Sequence, residues 1–77
     1  MDYEQALSAF AAGHLKEALM EPAPRQNGWL LLFRDGHGDL QRLTDAHGHD
    51  RLFRDLDAAA ELAHRIGFRT VNVEERF

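Results

Sequence analysis

Histidine and aspartate side chains are concentrated in two glycine-containing segments, residues 35–39 and 45–50. Neutral imidazoles and carboxylates are ligands that Zn²⁺ and Ni²⁺ take from proteins, and His47 and His49 would share a side of an extended chain. Their spacing matches no established ligand pattern, however, and the same residue types build polar turns. The sequence therefore predicts turns and no metal site for Asp35, His37, Asp39, Asp45, His47, His49 and Asp50. A metal-dependent enzyme built on the three histidines is the least favoured alternative.

Other catalytic patterns are incomplete. Ser8, the only serine, lies in a predicted helix without the flanking glycines of a nucleophilic turn. The segment 36–38 lacks the third glycine of a dinucleotide loop and the lysine of a phosphate loop. His64 has acidic neighbours in Asp57 and Glu61, but nothing beside them supplies a nucleophile or an oxyanion hole. We therefore expect a protein that is not an enzyme and needs no cofactor.

The composition restricts the location and the class of partner. The absence of cysteine excludes disulfides and thiolate metal sites, which fits a reducing compartment. The acidic start of the chain is unlike a signal peptide, and no apolar run reaches membrane-spanning length, so a cytoplasmic protein without a membrane partner is expected. Of the net charge of −4, residues 1–24 carry −3, residues 25–54 carry +1 and residues 55–77 carry −2. This balance argues against sequence-independent nucleic-acid binding.

The 77 residues suffice for one domain, residues 1–77, and the first half predicts a helix followed by strands. Asp2 and Gln5 form a capping-box pattern, and Gly13 is expected to end the helix, with continuation to Met20 as the alternative. An edge strand is predicted over 17–23, because proline is tolerated where no amide donor is needed. The turn 25–28 then leads into the apolar run 29–33, the predicted central strand.

That central strand is apolar on both faces. Trp29, Leu31 and Phe33 alternate with Leu30 and Leu32, so each face must be covered by other elements or by a partner. Next comes a strand over 39–44, in which Leu40 and Leu43 are the expected apolar anchors.

The second half predicts a short strand over 51–54, a helix over 56–66 and a final strand over 69–74. Asp55 is the expected N-cap of the helix and Gly67 its C-terminal stop. In the final strand, Val71 and Val73 should point inward. The expected architecture is α+β: two helices packed on a small, mainly antiparallel sheet of four or five strands, in the order α-β-β-β-α-β. The apolar face of the second helix is predicted to be Leu56, Ala59, Ala60, Ala63 and Ile66.

Acidic residues of three segments could form one partner-binding surface. A surface of spaced carboxylates can bind a basic protein in place of nucleic acid, and charge complementarity speeds association. The alternative is an ordinary solvated helix face, in which Glu61 pairs with Arg65. The predicted acidic surface comprises Asp55, Asp57, Glu61, Glu74, Glu75, Asp2 and Glu4.

A competing interpretation places nucleic acid on the central strands. Trp29 and Phe33 would stack on bases from an exposed sheet, and Arg34 and Arg42 would contact phosphates. Core packing of the two aromatic rings is the favoured interpretation, because their strand is the most apolar in the chain.

One set of residues, spread over the last two-thirds of the chain, supports a resemblance to known proteins: Asn27-Gly28-Trp29, Leu43-Thr44-Asp45, Gly48, Arg51, Phe53, Leu56-Asp57-Ala58-Ala59, Gly67-Phe68, Val71 and Val73. With these residues the chain resembles small proteins of proteobacterial plasmids and integrative elements, some of which are labelled plasmid replication proteins. Small acidic proteins of such elements also resemble anti-CRISPR and other anti-defence inhibitors. The resemblance implies a bacterial host and no catalytic residue. We therefore expect the protein to be a non-enzymatic inhibitor or interaction module that binds a basic nucleic-acid-handling complex, such as a CRISPR effector. The alternative is a plasmid replication or partition accessory protein.

Overall fold

The computed structural model describes residues 1–74 and has the predicted α+β architecture. Two helices pack on a five-stranded sheet, which is antiparallel except for one parallel pair of strands. The elements are α1 (Tyr3–Ala11), β1 (Leu15–Pro22), β2 (Trp29–Asp35), β3 (Leu40–Arg42), β4 (Leu52–Phe53), α2 (Leu56–Ile66) and β5 (Asn72–Val73).

Local chemistry fixes the ends of both helices where the sequence predicts them. Asp2 accepts a hydrogen bond from the Gln5 amide at 2.8 Å, and the Gln5 side chain accepts one from the Asp2 amide at 2.9 Å. Asp55 caps α2 by accepting from the Ala58 amide. Gly13 follows α1 with a φ of +79°, and Gly67 ends α2 with a φ of +136°, a region that favours glycine.

The strand order is β3-β2-β1-β5, with β4 also pairing to β2. The prediction that the second element is an edge strand is therefore wrong, because β1 pairs antiparallel with β2 and parallel with β5. Pro22 is tolerated because β5 pairs only with Leu19 and Met20, so no neighbouring strand needs its missing amide.

Both faces of β2 are buried, as its apolar run requires. Leu31 and Phe33 face the helices in the main core, which also contains Ala59 and Ala63 of α2. Leu30 and Leu32 point to the opposite side, called here the helix-free face, where they form a second cluster with Leu19. The alternation of the strand thus divides the protein into a large core under the helices and a small cluster on the other side.

The prediction of an inward-facing apolar side chain is wrong for two residues at the edges of the sheet, Leu40 and Val73. Leu43 is buried, but Leu40 is 42% exposed beside Arg34 on the helix-free face. Val73 is 43% exposed because it lies on the two-residue edge strand β5, while Val71 packs partly against the main core. On α2, the predicted inward face is confirmed for Ala59, Ala63 and Ile66, which are buried. Leu62 is buried as well, although it was not predicted.

The aspartate and histidine segments form two turns with the same hydrogen bonds. In each, an aspartate Oδ1 accepts from the backbone amides two and four residues later: Asp35 from His37 and Asp39, and Asp45 from His47 and His49. The fourth residue of each turn is a glycine with a φ near +85°. The pattern Asp-X-His-Gly therefore closes two hairpins.

Candidate interaction surface

A surface groove of about 460 Å³ brings together acidic residues from distant parts of the sequence. Asp2 and Glu4 come from the start of α1, while Asp45 and Asp50 come from the second Asp-X-His-Gly hairpin. Four carboxylates thus share the groove with the single guanidinium of Arg51. We call this the acidic groove; its other lining residues are Tyr3, Thr44, Ala46 and Leu52.

Main-chain pairing of Met1 holds the start of α1 against the hairpin. The Met1 amino group donates to the carbonyl of Arg42 at 3.2 Å, and the Thr44 amide donates to the carbonyl of Met1 at 2.7 Å. Thr44 and Asp50 also face each other as an antiparallel bridge. These contacts place Asp2 beside Asp45 and Asp50, although more than forty residues separate them in sequence.

The turn geometry keeps Asp45 charged. The backbone amides of His47 and His49 donate to its carboxylate and lower the pKa of Asp45 below its ordinary value, against a smaller opposing effect of desolvation. In the first turn, desolvation raises the pKa of Asp35, but hydrogen bonds from His37, Asp39 and Gln41 together outweigh it and lower the pKa. Both carboxylates are therefore ionised at neutral pH and act as fixed negative charges.

Asp50 has an arginine partner at the edge of the acidic groove. The Arg42 Nη1 atom lies 2.9 Å from Asp50 Oδ2, with half of the Arg42 side chain exposed. An exposed pair of this kind contributes at most about 1 kcal/mol to stability. Arg42 approaches from the helix-free face, where it is paired in register with Leu32.

None of the predicted acids of α2 lines the acidic groove. Asp55 is engaged as the N-cap, Asp57 is exposed, and Glu61 pairs with Arg65 at 2.8 Å. A smaller depression of about 230 Å³ is lined by Arg51, Phe53 and Glu61 among others. Arg51 lines both depressions, with its guanidinium 5.6 Å from the centre of the Phe53 ring.

The remaining two predicted acids do not join this surface. Glu74 follows β5 at the opposite side of the sheet from β4, three strand spacings or about 14 Å away. Glu75 lies outside the residues that the structure describes. Glu74 is therefore separate from the acidic groove.

The predicted nucleic-acid contacts are divided between the two faces of the sheet. Phe33 is fully buried under the helices, which confirms the favoured interpretation of core packing and contradicts the alternative that its ring stacks on a base. Trp29 also packs against that core, whereas Arg34 and Arg42 emerge on the helix-free face. Arg34 is bound there by Glu17 at 3.0 Å and by the Gly38 carbonyl at 3.1 Å. Because alternate residues of a strand face opposite ways, the rings and the guanidinium groups cannot share one ligand.

The histidine side chains are exposed on the turns. The rings of His47 and His49 are 6.4 Å apart, and their neighbouring aspartate is held by backbone amides. Between residues 1 and 74, no group of three or more histidine, aspartate or glutamate side chains has an arrangement that could hold a metal ion. His64 lies on α2, where its Nδ1 atom is 2.8 Å from the Phe68 carbonyl and must donate to it.

Sequence analysis missed Asp45, Asp50 and Arg51 as members of the acidic surface. The sequence feature that could have identified them is the repeated Asp-X-His-Gly pattern. It indicates a hairpin, and the hairpin places Thr44 opposite Asp50. The pairing of Met1 with Thr44 leaves no comparable pattern in the sequence.

The fold and the groove define a small α+β domain with a carboxylate-rich surface groove. No family model matches the chain, and comparisons with curated protein sequences and with solved structures give no significant match. Neither helix in the described part of the chain has the length and apolar character needed to cross a membrane.

Proposed function

We propose that this protein is a non-enzymatic inhibitor from a bacterial mobile genetic element, acting in the host cytoplasm. Its partner is a basic nucleic-acid-handling protein complex of the CRISPR-effector type, which it binds in place of nucleic acid. The observation that carries the proposal is the acidic groove, which is lined by four carboxylates from two distant segments and by one arginine. A net charge of −4 on 77 residues supports the same choice of partner.

The groove combines charge with apolar surface, as protein interfaces do. Tyr3 and Leu52, which is 36% exposed, lie among the carboxylates. Aromatic residues near the centre of an interface contribute a large share of binding energy, while surrounding charges steer the encounter. The carboxylates would accept hydrogen bonds from partner arginines and lysines that otherwise contact phosphates.

The experiment compares two triple variants with the same change in charge. In the groove variant, Asp2→Asn, Glu4→Gln and Asp45→Asn remove three charges while asparagine can still serve as a helix cap and turn acceptor. The matched control, Glu21→Gln, Asp39→Asn and Glu74→Gln, removes three charges elsewhere. A third variant, Asp55→Asn, Asp57→Asn and Glu61→Gln, tests the α2 acids.

Tagged protein is used to capture complexes from nuclease-treated lysate of a proteobacterium with a CRISPR system, and binding to the purified complex is then measured at two salt concentrations. We expect capture of a basic nucleic-acid-binding complex, with salt-sensitive association weakened in the groove variant and retained in the control. Equal weakening in the control would refute the groove as the contact. Binding that disappears with nuclease would refute the inhibitor and favour a replication accessory.

A further inference from the structure

Asn27 and Gly28 are the only asparagine-glycine pair of the chain, and they lie in the loop between β1 and β2. Glycine is the successor that least hinders cyclisation of an asparagine, because it has no side chain and great conformational freedom. We propose that Asn27 is a site of spontaneous deamidation in the folded protein.

The local structure leaves both reacting groups free. Asn27 is exposed, and within residues 1–74 its side-chain amide makes no hydrogen bond. The Gly28 carbonyl accepts from the Ala23 amide at 3.0 Å, but the Gly28 amide itself has no acceptor in the same part of the chain. The Gly28 carbonyl thus closes the loop, but within residues 1–74 neither the nucleophilic nitrogen of Gly28 nor the side-chain amide of Asn27 is held by a hydrogen bond.

The reaction needs only water and a weak base. The Gly28 amide nitrogen gives up its proton to the solvent and bonds to the Cγ atom of Asn27. The bond between Cγ and Nδ2 then breaks, and the amide group leaves as ammonia after taking a proton from the solvent. Water opens the resulting five-membered imide at either of its carbonyls, which yields aspartate or isoaspartate without any oxidation or reduction.

The only other asparagine of the chain, Asn72, is an internal control. It precedes the β-branched Val73 in β5, and its Nδ2 atom donates to Glu17 Oε2 at 2.8 Å. That hydrogen bond holds the amide, and the strand holds the backbone, so cyclisation is blocked twice. Asp35 also precedes a glycine, but its carboxylate accepts from the His37 and Asp39 amides and is a poor electrophile when ionised.

Deamidation would change the charge and the main-chain length of the protein just before β2. A new carboxylate would arise one residue after Gln26, which lines a groove of about 260 Å³ on the helix-free face together with Arg25, Leu30 and Arg42 among others. Isoaspartate would also lengthen the main chain just before β2, where a Cβ placed on Gly28 would lie 3.0 Å from the Phe53 carbonyl oxygen. Little room is available there for displacement toward β4.

The experiment incubates the purified, folded protein at mildly alkaline pH and physiological temperature, and maps products by peptide mass spectrometry. We expect the mass increase for replacement of an amide NH2 by OH at Asn27, as a chromatographic doublet of aspartate and isoaspartate, with Asn72 unchanged. Isoelectric focusing should show one added negative charge, absent in Asn27→Gln, which cannot form the five-membered imide. Reaction only in denaturant would overturn the proposal, because the folded loop would then be protective. Equal reaction at Asn72 would overturn it as well.

Discussion

Replacing Gly67 with alanine should destabilise the protein by about 2–5 kcal/mol, through two separable effects. Gly67 has a φ of +136°, where a side chain is strained by about 1–2 kcal/mol. A Cβ at this position would lie 2.3 Å from Cε1 of Phe10, and two more atoms of that ring are within 2.9 Å. Relieving such overpacking adds about 1–3 kcal/mol.

Aromatic packing holds the Phe10 ring in its position. It packs edge-on against Phe68 with 4.8 Å between ring centres, and Phe68 in turn stacks on the buried Phe33 at 5.7 Å. Displacing it would break the first of these contacts, which is worth about 0.5–1.5 kcal/mol beyond the buried area. A domain of this size has only about 3–5 kcal/mol of net stability from its core, so Gly67→Ala should populate the unfolded state appreciably.

Gly13→Ala is the matched control. Gly13 also has a positive φ, of +79°, but a Cβ there would meet nothing within 4 Å. This variant should therefore lose only the conformational part, about 1–2 kcal/mol. Free energies of unfolding are measured by urea titration, with sucrose added to all samples to keep the weaker variant folded.

A third variant isolates the contact with the ring. In a Phe10→Leu background the closest ring atom is gone, so Gly67→Ala should be milder there by about 1–3 kcal/mol, the size of a coupling between residues in contact. Equal losses for Gly67→Ala and Gly13→Ala, or strictly additive effects in the double variant, would refute the steric argument.

Two further predictions concern the turns and the helix-free face. Because backbone amides lower the pKa of Asp45 in the folded protein, its contribution to stability is present above the ordinary aspartate pKa and is lost as pH falls through the lower folded value. In the Asp45→Ala variant, the Tm measured by circular dichroism should therefore decrease less on acidification than the Tm of the wild type. If Tm falls with pH in parallel in the two proteins, the assigned hydrogen bonds are contradicted. Leu30→Ala should destabilise by about 2–5 kcal/mol in urea titrations, because Leu30 is 2% exposed, whereas Leu40→Ala should stay within about 0.5 kcal/mol. Similar values for the two leucines would mean that the helix-free cluster is not a core.

The parts of the fold that sequence predicted correctly depend on neighbouring residues. The capping box of Asp2 and Gln5, the cap at Asp55 and the stop at Gly67 each involve contacts within four residues. Alternation also identified the two faces of β2 correctly. The same alternation separates Arg34 from Phe33, so the division of the predicted nucleic-acid contacts was available from the sequence.

The errors arise where distant pairing decides the outcome. Whether β1 is central or at an edge depends on β5, which lies about fifty residues further along the chain. The exposure of Leu40 likewise depends on what covers the strand, which its own sequence does not specify. The acidic groove is the clearest case, because the main-chain contacts of Met1 with Arg42 and Thr44 bring its two segments together.

The pairing of Met1 has a further consequence for self-association. Exposed sheet edges invite strands from other molecules, which is one route to aggregation. Here the Arg42 carbonyl and the Thr44 amide at the outer edge of β3 are already occupied by Met1, so an incoming strand finds no ladder at that end. At the other side, β5 presents two residues within the described range 1–74. The main chain of Met1 thus blocks the addition of a strand at the end of β3.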